Sequence, residues 1–404
     1  MIYKLYPLRN DLSFTQMNED GQEIVVIADP AGYSDSQIAV SLEFFWLLTQ
    51  IEQDTTIEEL AKKINLEDPI YLEPFLSEVE KFDELYLIDS PSFREFKKKV
   101  DEEFLNNPIR ESVLSGHSFP EEKDEFNNYL NEIFNLVDKN EIDGKAKSSI
   151  IPHLDLITGE NTQKVYAKSY HSLRDNDFDT IVILGTAHYK ASHRFMLSKK
   201  HFETPNGIIE TDIELLSKIA EIAPNSFIID EFAHRPEHSV EIQVALSGHY
   251  FKDRNFKILP VLTAGYFDLM ENEQHPDNDD TINSFINSLK EAISLLGRKP
   301  IFIASVDFSH YGAKFHDDFD AKDKINESII YDGALMKSIL ENNRNNFYNQ
   351  IQKYEDQWKV CGTAPIFTLL KSHDNLKPRF FDYQVWYEEE TQSAVSCASI
   401  SFYN

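Results

Sequence analysis

Five short segments gather residue types able to do chemistry: Pro152-His153-Leu154-Asp155, Gly185-Thr186-Ala187-His188, Glu237-His238-Ser239, Asp307-Phe308-Ser309-His310 and Cys361-Gly362. Imidazole, thiol and carboxylate groups together suit a divalent transition metal or an acid–base site. Two of the segments follow short apolar runs, 181–184 and 301–304, that read as buried strands. In an open α/β sheet the carboxyl ends of parallel strands converge on one crevice, and ligands bind there. Residues far apart in the chain can therefore meet at one point.

The elements that must position them follow from the pattern along the chain. From residue 148 onward, β-like and helical segments alternate. Strands are expected at 149–151, 180–184, 195–197, 226–229, 257–261, 300–305 and 393–402. Helices are expected at 162–172, 213–223, 240–250, 280–296, 319–330, 333–343, 345–353 and 362–371. This alternation predicts an α/β fold, a mixed sheet flanked by helices. Residues 1–105 differ in character. A strand over 24–30, helices over 41–50, 60–64 and 69–82, and a strand over 85–89 suggest a small winged-helix-like α+β domain. Thr56 with Glu59 has the form of a capping box before the second helix. The expected division is thus 1–105 and 106–404. The helical spacing over 121–137 reads as a helix packing on the second domain.

A chain of 404 residues with 41% hydrophobic content can bury a sizeable core. Its formal charge of -30 argues against nucleic acid, because binding phosphate requires lysine and arginine to displace counterions. It argues equally against an anionic membrane surface. Two cysteines, Cys361 and Cys397, make no disulfide framework. Met1-Ile2-Tyr3-Lys4-Leu5-Tyr6-Pro7 lacks the apolar core of a signal peptide. No apolar stretch approaches the ~20 residues of a membrane span. A soluble, cytoplasmic protein is expected, its oligomeric state open.

Several motifs, in order, carry a resemblance. They are Ile151-Pro152-His153-Leu154-Asp155 with Thr158-Gly159, Leu184-Gly185-Thr186-Ala187-His188, Glu203-Thr204-Pro205-Asn206-Gly207 with Asp212, Glu237-His238-Ser239-Val240-Glu241-Ile242-Gln243, Asp307-Phe308-Ser309-His310-Tyr311-Gly312, and Cys361-Gly362 with Pro365. They resemble the Memo family, whose bacterial and archaeal members are called AmmeMemoRadiSam system protein B. The resemblance runs over residues 110–404. The family is similar in fold to the class III extradiol dioxygenases, which use non-haem Fe(II). Many members read Pro-His-Ala-Gly-Tyr and Gly-Pro-Ser-His where this chain has Pro152-His153-Leu154-Asp155-Leu156 and Gly185-Thr186-Ala187-His188. The histidines keep their places while the lining changes. Pro7-Leu8-Arg9 and the 54–60 segment resemble PqqD-like domains, which bind peptides for radical SAM enzymes.

The resemblance implies a metal held by two histidines and a cysteine, falling here on His153, His188 and Cys361. Neutral imidazoles and a thiolate suit borderline-soft ions, and three protein ligands leave positions open. Fe(II) is the first candidate, with Zn(II) and copper as alternatives. The plainer account makes both histidines turn residues bonded to nearby backbone, and Cys361 a buried thiol at a helix start. His310 is the acid–base candidate, since imidazole titrates near neutral pH. Asp307 either orients it or a metal-bound water, or makes a merely structural hydrogen bond to the histidine. His238 either points into the crevice or supports it, with Ser239 the natural N-cap of the following helix. Glu241 is read as complementing the helix dipole. Asp155 is a partner of His153 or a cap. His171 and His249 lie in polar contexts and are expected outside the site. No phosphate-cradling loop or Gly-x-Ser-x-Gly elbow is present.

Three functions remain in view. One is a metal-dependent oxidoreductase or redox accessory protein. Another is a non-catalytic peptide- or partner-binding module associated with a radical SAM protein. The third is a zinc-dependent hydrolase. The substrate would be a small molecule or a peptide.

Overall fold

The computed structural model describes residues 4–19, 21–34, 36–373 and 376–404. The chain falls into two compact units, Met1–Asn107 and Pro108–Asn404.

In the first unit, strands Ser13–Glu19, Gln22–Ala28 and Ile38–Ser41 form an antiparallel sheet in chain order. Helices Leu42–Thr49, Ile57–Lys63, Glu73–Glu84 and Pro91–Asn106 follow. Val25, Ile27, Leu48, Leu60, Phe75 and Phe82 share one core. The Thr56–Glu59 capping box is present, with both reciprocal hydrogen bonds made. The extended run expected over 85–89 is cut short. Tyr86 sits at φ 58, and only a single bridge joins Ile88 to Leu8. A left-handed residue at that point turns the chain out of strand geometry.

The second unit is built on a nine-stranded sheet. Its strands, in chain order, are β1 (Ser148–Ile151), β2 (Thr180–Thr186), β3 (Phe195–Leu197), β4 (Ile228–Ile229), β5 (Lys257–Thr263), β6 (Pro300–Ser305), β7 (His310–Gly312), β8 (Lys377–Glu388) and β9 (Ser393–Tyr403). The spatial order is β4-β3-β5-β2-β6-β1-β9-β7, with β8 on the other edge of β9. The central four strands, β5, β2, β6 and β1, are parallel to one another. β9 runs antiparallel to β1, β7 and β8, so the sheet is mixed.

Helices cover both faces. Val182, Leu184, Phe302 and Ala304 face one core, against Leu216, Phe285 and Phe367. Ile181, Ile183, Ile301 and Ile303 face the other, against Phe126, Tyr170 and Ile242. The period of two in these strands splits them between the cores. Fully buried central strands explain the unbroken apolar runs. Helix α1 (Lys123–Asn135) belongs to this second unit and packs Phe126, Leu130, Ile133 and Phe134 on the core shared by α2 (Glu160–Leu173) and α3 (His238–Tyr250).

Two expectations are corrected. The helices expected over 319–330 and 333–343 are one helix, Ile325–Leu340, after a short 3₁₀ turn at Ala321–Lys324. Gly333 stands in its middle in open space, where the helix tolerates it at modest cost. The long strand β8 was missing altogether. Its aromatics are interleaved with Arg379, Asp382, Gln384 and Glu388, and its side chains are mostly half-buried. No continuous apolar run marks it.

Candidate metal centre

Adjacent parallel strands β2, β6 and β1 end side by side, and each delivers one polar residue two positions beyond its end. β1 ends at Ile151 and delivers His153, β2 ends at Thr186 and delivers His188, and β6 ends at Ser305 and delivers Asp307. Cys361 stands two residues before the start of helix α4 (Thr363–Ser372). Gly362 passes so close to Asp307 that a Cβ there would meet its carbonyl oxygen at 3.0 Å.

The rings are fixed by the hydrogen bonds of their Nδ1 atoms. His153 Nδ1–H donates to the Ser305 carbonyl at 2.9 Å. His188 Nδ1–H donates to Glu237 Oε1 at 2.9 Å. Nε2 is therefore the nitrogen each ring presents. His153 Nε2 lies 3.5 Å from Cys361 Sγ and 3.6 Å from Asp307 Oδ2. One ring nitrogen of His153, one of His188 and the Cys361 sulfur all lie within 4.8 Å of one another. Ligands roughly 2.0–2.3 Å from one ion stand about 3.3–3.8 Å apart on a tetrahedron. The donor set thus fits a single ion with a small inward adjustment.

A second trio shares His188. His188, Glu237 and His238 meet the same 4.8 Å criterion. The His188 and His238 rings stack with centroids 4.8 Å apart, and each meets His153 edge-on at 4.9 and 5.1 Å.

Burial sets the protonation states. His153 is held well below its usual pKa by burial and by the neighbouring imidazoles. Burial and His188 push His238 down to about 4, and do the same to His310. Burial alone would raise Glu237, but His188 outweighs it and brings the carboxyl to about 2. Burial lifts Asp307 to about 7 although it accepts the His153 N–H. Burial raises the Cys361 thiol, so a cation beside it would supply the charge a thiolate needs.

Three readings of these residues are corrected. Asp307 bonds the His153 segment rather than His310, whose Nδ1 lies 2.9 Å from the Phe308 carbonyl. Glu237, not Ser239, caps helix α3, by accepting the Ser239 N–H. The Ser239 hydroxyl instead donates to the Thr186 carbonyl at 2.8 Å. Glu241 does more than meet a dipole. It is buried against Arg110 and accepts from Ser112 Oγ and the Val113 and Leu114 N–H groups. Asp155 caps the Leu156–Thr158 turn and accepts from Ser118 Oγ. His171 and His249 lie outside the cluster, but buried, with ring nitrogens bonded beside α1. Cys397 is a fully buried core residue.

Arg110 escaped sequence reasoning. All five of its N–H groups are used, on the carbonyls of Glu111, His234, Arg235 and Glu237 and on Glu241. It clamps the turn that carries Glu237. One signal was available: α3 is buried from Ser239 through His249, so Glu241 inside it required a buried cation. Gln243 on the same helix donates to the Pro152 carbonyl at 2.6 Å and to Ser305 Oγ at 3.0 Å, tying the ends of β1 and β6 together. Gly185 permits this closeness, since a Cβ there would stand 2.6 Å from Ser239 Oγ.

The fold and cluster define an α/β protein with two histidines and a cysteine converging at the carboxyl edge of a mixed sheet. The family model described as Memo-like protein matches residues 110–401, and the chain belongs to the Memo family. A MEMO1 family protein of Aquifex aeolicus is 28% identical over 391 residues, covering 94% of this chain and 96% of the relative. That alignment runs through most of the first unit as well. A MEMO1 family protein of Methanosarcina mazei is 27% identical over 268 residues, 66% of this chain and 87% of the relative. Another, of Methanococcoides burtonii, is 33% identical over 192 residues, 48% of this chain and 62% of the relative.

Proposed function

We propose that the second unit is a mononuclear non-haem metal protein, an oxidoreductase or redox accessory protein related to the extradiol dioxygenases. His153, His188 and Cys361 are the ligands, and Fe(II) is the first candidate, ahead of Zn(II) and copper. One observation carries this reading. Both ligand rings have Nδ1 committed to an oxygen acceptor, which leaves Nε2 of His153 3.5 Å from the Cys361 sulfur. A bound ion would supply Lewis acidity and, for iron or copper, one-electron chemistry.

The surrounding groups divide the proton work. Asp307, raised to about 7 by burial, can exchange a proton near neutral pH beside His153. His238 and His310, brought to about 4, are neutral there and are the acceptors. Glu237 stays ionised and orients His188. Elemental analysis of anaerobically purified protein tests the reading. Retained iron supports it, retained zinc alone moves it to a zinc-dependent hydrolase, and a metal-free site favours a binding module.

A second reading concerns the first unit. Leu42 and Trp46, 39% and 51% exposed, border an apolar hollow on helix Leu42–Thr49. This supports a peptide-binding, PqqD-like role, with a radical SAM protein as partner. Among the described residues no helix is long and apolar enough to cross a membrane, and both cysteines are free, which suits the cytoplasm.

A further inference from the structure

We propose that Thr186 is the positioning residue for Cys361, its hydroxyl holding the thiol at the spacing from the His188 ring that a shared ion requires. The inference rests on the metal-centre reading of the same site.

Cys361 is not delivered by a regular element on its N-terminal side. The chain approaches it through Glu355, Asp356 and Lys359, at φ 51, 49 and 50. Non-glycine residues in this region hold their conformation only where surroundings enforce it. The position of the sulfur therefore depends on tethers. Asp356 accepts the Val360 N–H at 2.9 Å, and Lys359 pairs with Asp317 at 2.7 Å. The Asp307 N–H donates to Cys361 Sγ at 3.3 Å, which ties the cysteine to the β6 end, beside His153. Thr186 supplies the tether toward the other histidine. Its Oγ1–H donates to the Cys361 carbonyl at 2.9 Å.

Thr186 is the last residue of β2, two before His188, and is 8% exposed. Its own carbonyl accepts from Ser239 Oγ at 2.8 Å, and the Ser239 N–H donates to Glu237, which holds His188. One buried residue thus joins the segment bearing Cys361, the strand bearing His188 and the helix start bearing Glu237. Loss of its hydroxyl would leave the Cys361 carbonyl without this partner and the sulfur free to drift from His188. Groups that orient ligands in this way typically change metal affinity by about 10–100-fold.

The test uses Co(II) alone, loaded anaerobically into the full chain. Sulfur-to-Co(II) charge transfer reads the thiolate, and transfer to a chelator reads release. Thr186→Val keeps the side-chain shape and removes the donor. It is expected to release Co(II) about tenfold faster or more, with a weaker charge-transfer band, and Thr186→Ser should restore both. A strand-end residue with a purely structural role would lower the unfolding midpoint while leaving band and release rate unchanged. That result overturns the proposal. If Thr186→Val does not fold, Thr186→Ala against Thr186→Ser makes the same comparison of hydroxyl lost and kept. A parent chain without a charge-transfer band dependent on Cys361 overturns the metal reading itself, and this inference with it. A parent band unaffected at position 186 overturns the inference alone.

Discussion

Glu237 accepts two hydrogen bonds from His188, one from its backbone N–H at 2.8 Å and one from its ring Nδ1 at 2.9 Å. The carboxylate therefore fixes both where the histidine sits and which nitrogen faces the cluster. Glu237 also caps α3, so the helix start and the histidine share one anchor.

Glu237→Gln should weaken metal binding by about 10–100-fold, because a neutral amide neither orients the ring as firmly nor raises its basicity. Chelator competition measures this. An unchanged affinity would show that Glu237 serves the helix cap alone.

Arg110→Ala should destabilise the second unit by about 3–5 kcal/mol, since it strands a buried Glu241 carboxylate. Urea unfolding followed by near-ultraviolet circular dichroism reports the loss. Adding Glu241→Gln should recover part of it, and a double variant no more stable than the single one would contradict the pairing argument.

Stability should fall on acidification in a window set by buried histidines. His234 is buried with a pKa of about 4, lowered chiefly by burial, so the unfolded chain binds its proton first. Its contribution is complete above about pH 6.5 and is lost as pH falls toward 4, by up to about 3 kcal/mol. His234→Gln should flatten that limb of a plot of Tm against pH. A limb of unchanged slope would assign it to other groups.

Asp356 carries the opposite sign. Burial raises it to about 7, so the folded chain keeps a proton that the unfolded chain gives up near pH 4. Stability from this group falls as pH rises from about 4 to 7. Asp356→Asn keeps an acceptor for the Val360 N–H and should raise Tm at pH 8 more than at pH 5. An equal shift at both values would remove ionisation as the cause.

Much of the scaffold was legible because burial writes itself into composition. The runs at 181–184 and 301–304 are apolar on both faces since helices cover both, and helix Asp280–Leu296 carries its apolar residues at helical spacing between an aspartate cap and Gly297. β8 was not legible, because it is half-buried along its length and mixes charges with aromatics. In the site, the residues following strand ends could be picked out by type and spacing. Their pairing could not. Asp307 and His310 are three residues apart, yet the carboxylate turns to the His153 N–H at the end of the neighbouring strand. Arg110 was signalled only through its partner Glu241, because the carbonyls it holds at 234, 235 and 237 have no side-chain signature.

The central claim is that Cys361 is a metal ligand and His310 is not. It is tested most directly by the metal content of parent, Cys361→Ser and His310→Ala chains reconstituted anaerobically with Fe(II). The account predicts about one ion per chain in the parent and in His310→Ala, and a large loss in Cys361→Ser, whose hydroxyl ionises far less readily than a thiol. A full complement of metal in Cys361→Ser, or an equal loss in both variants, would contradict it.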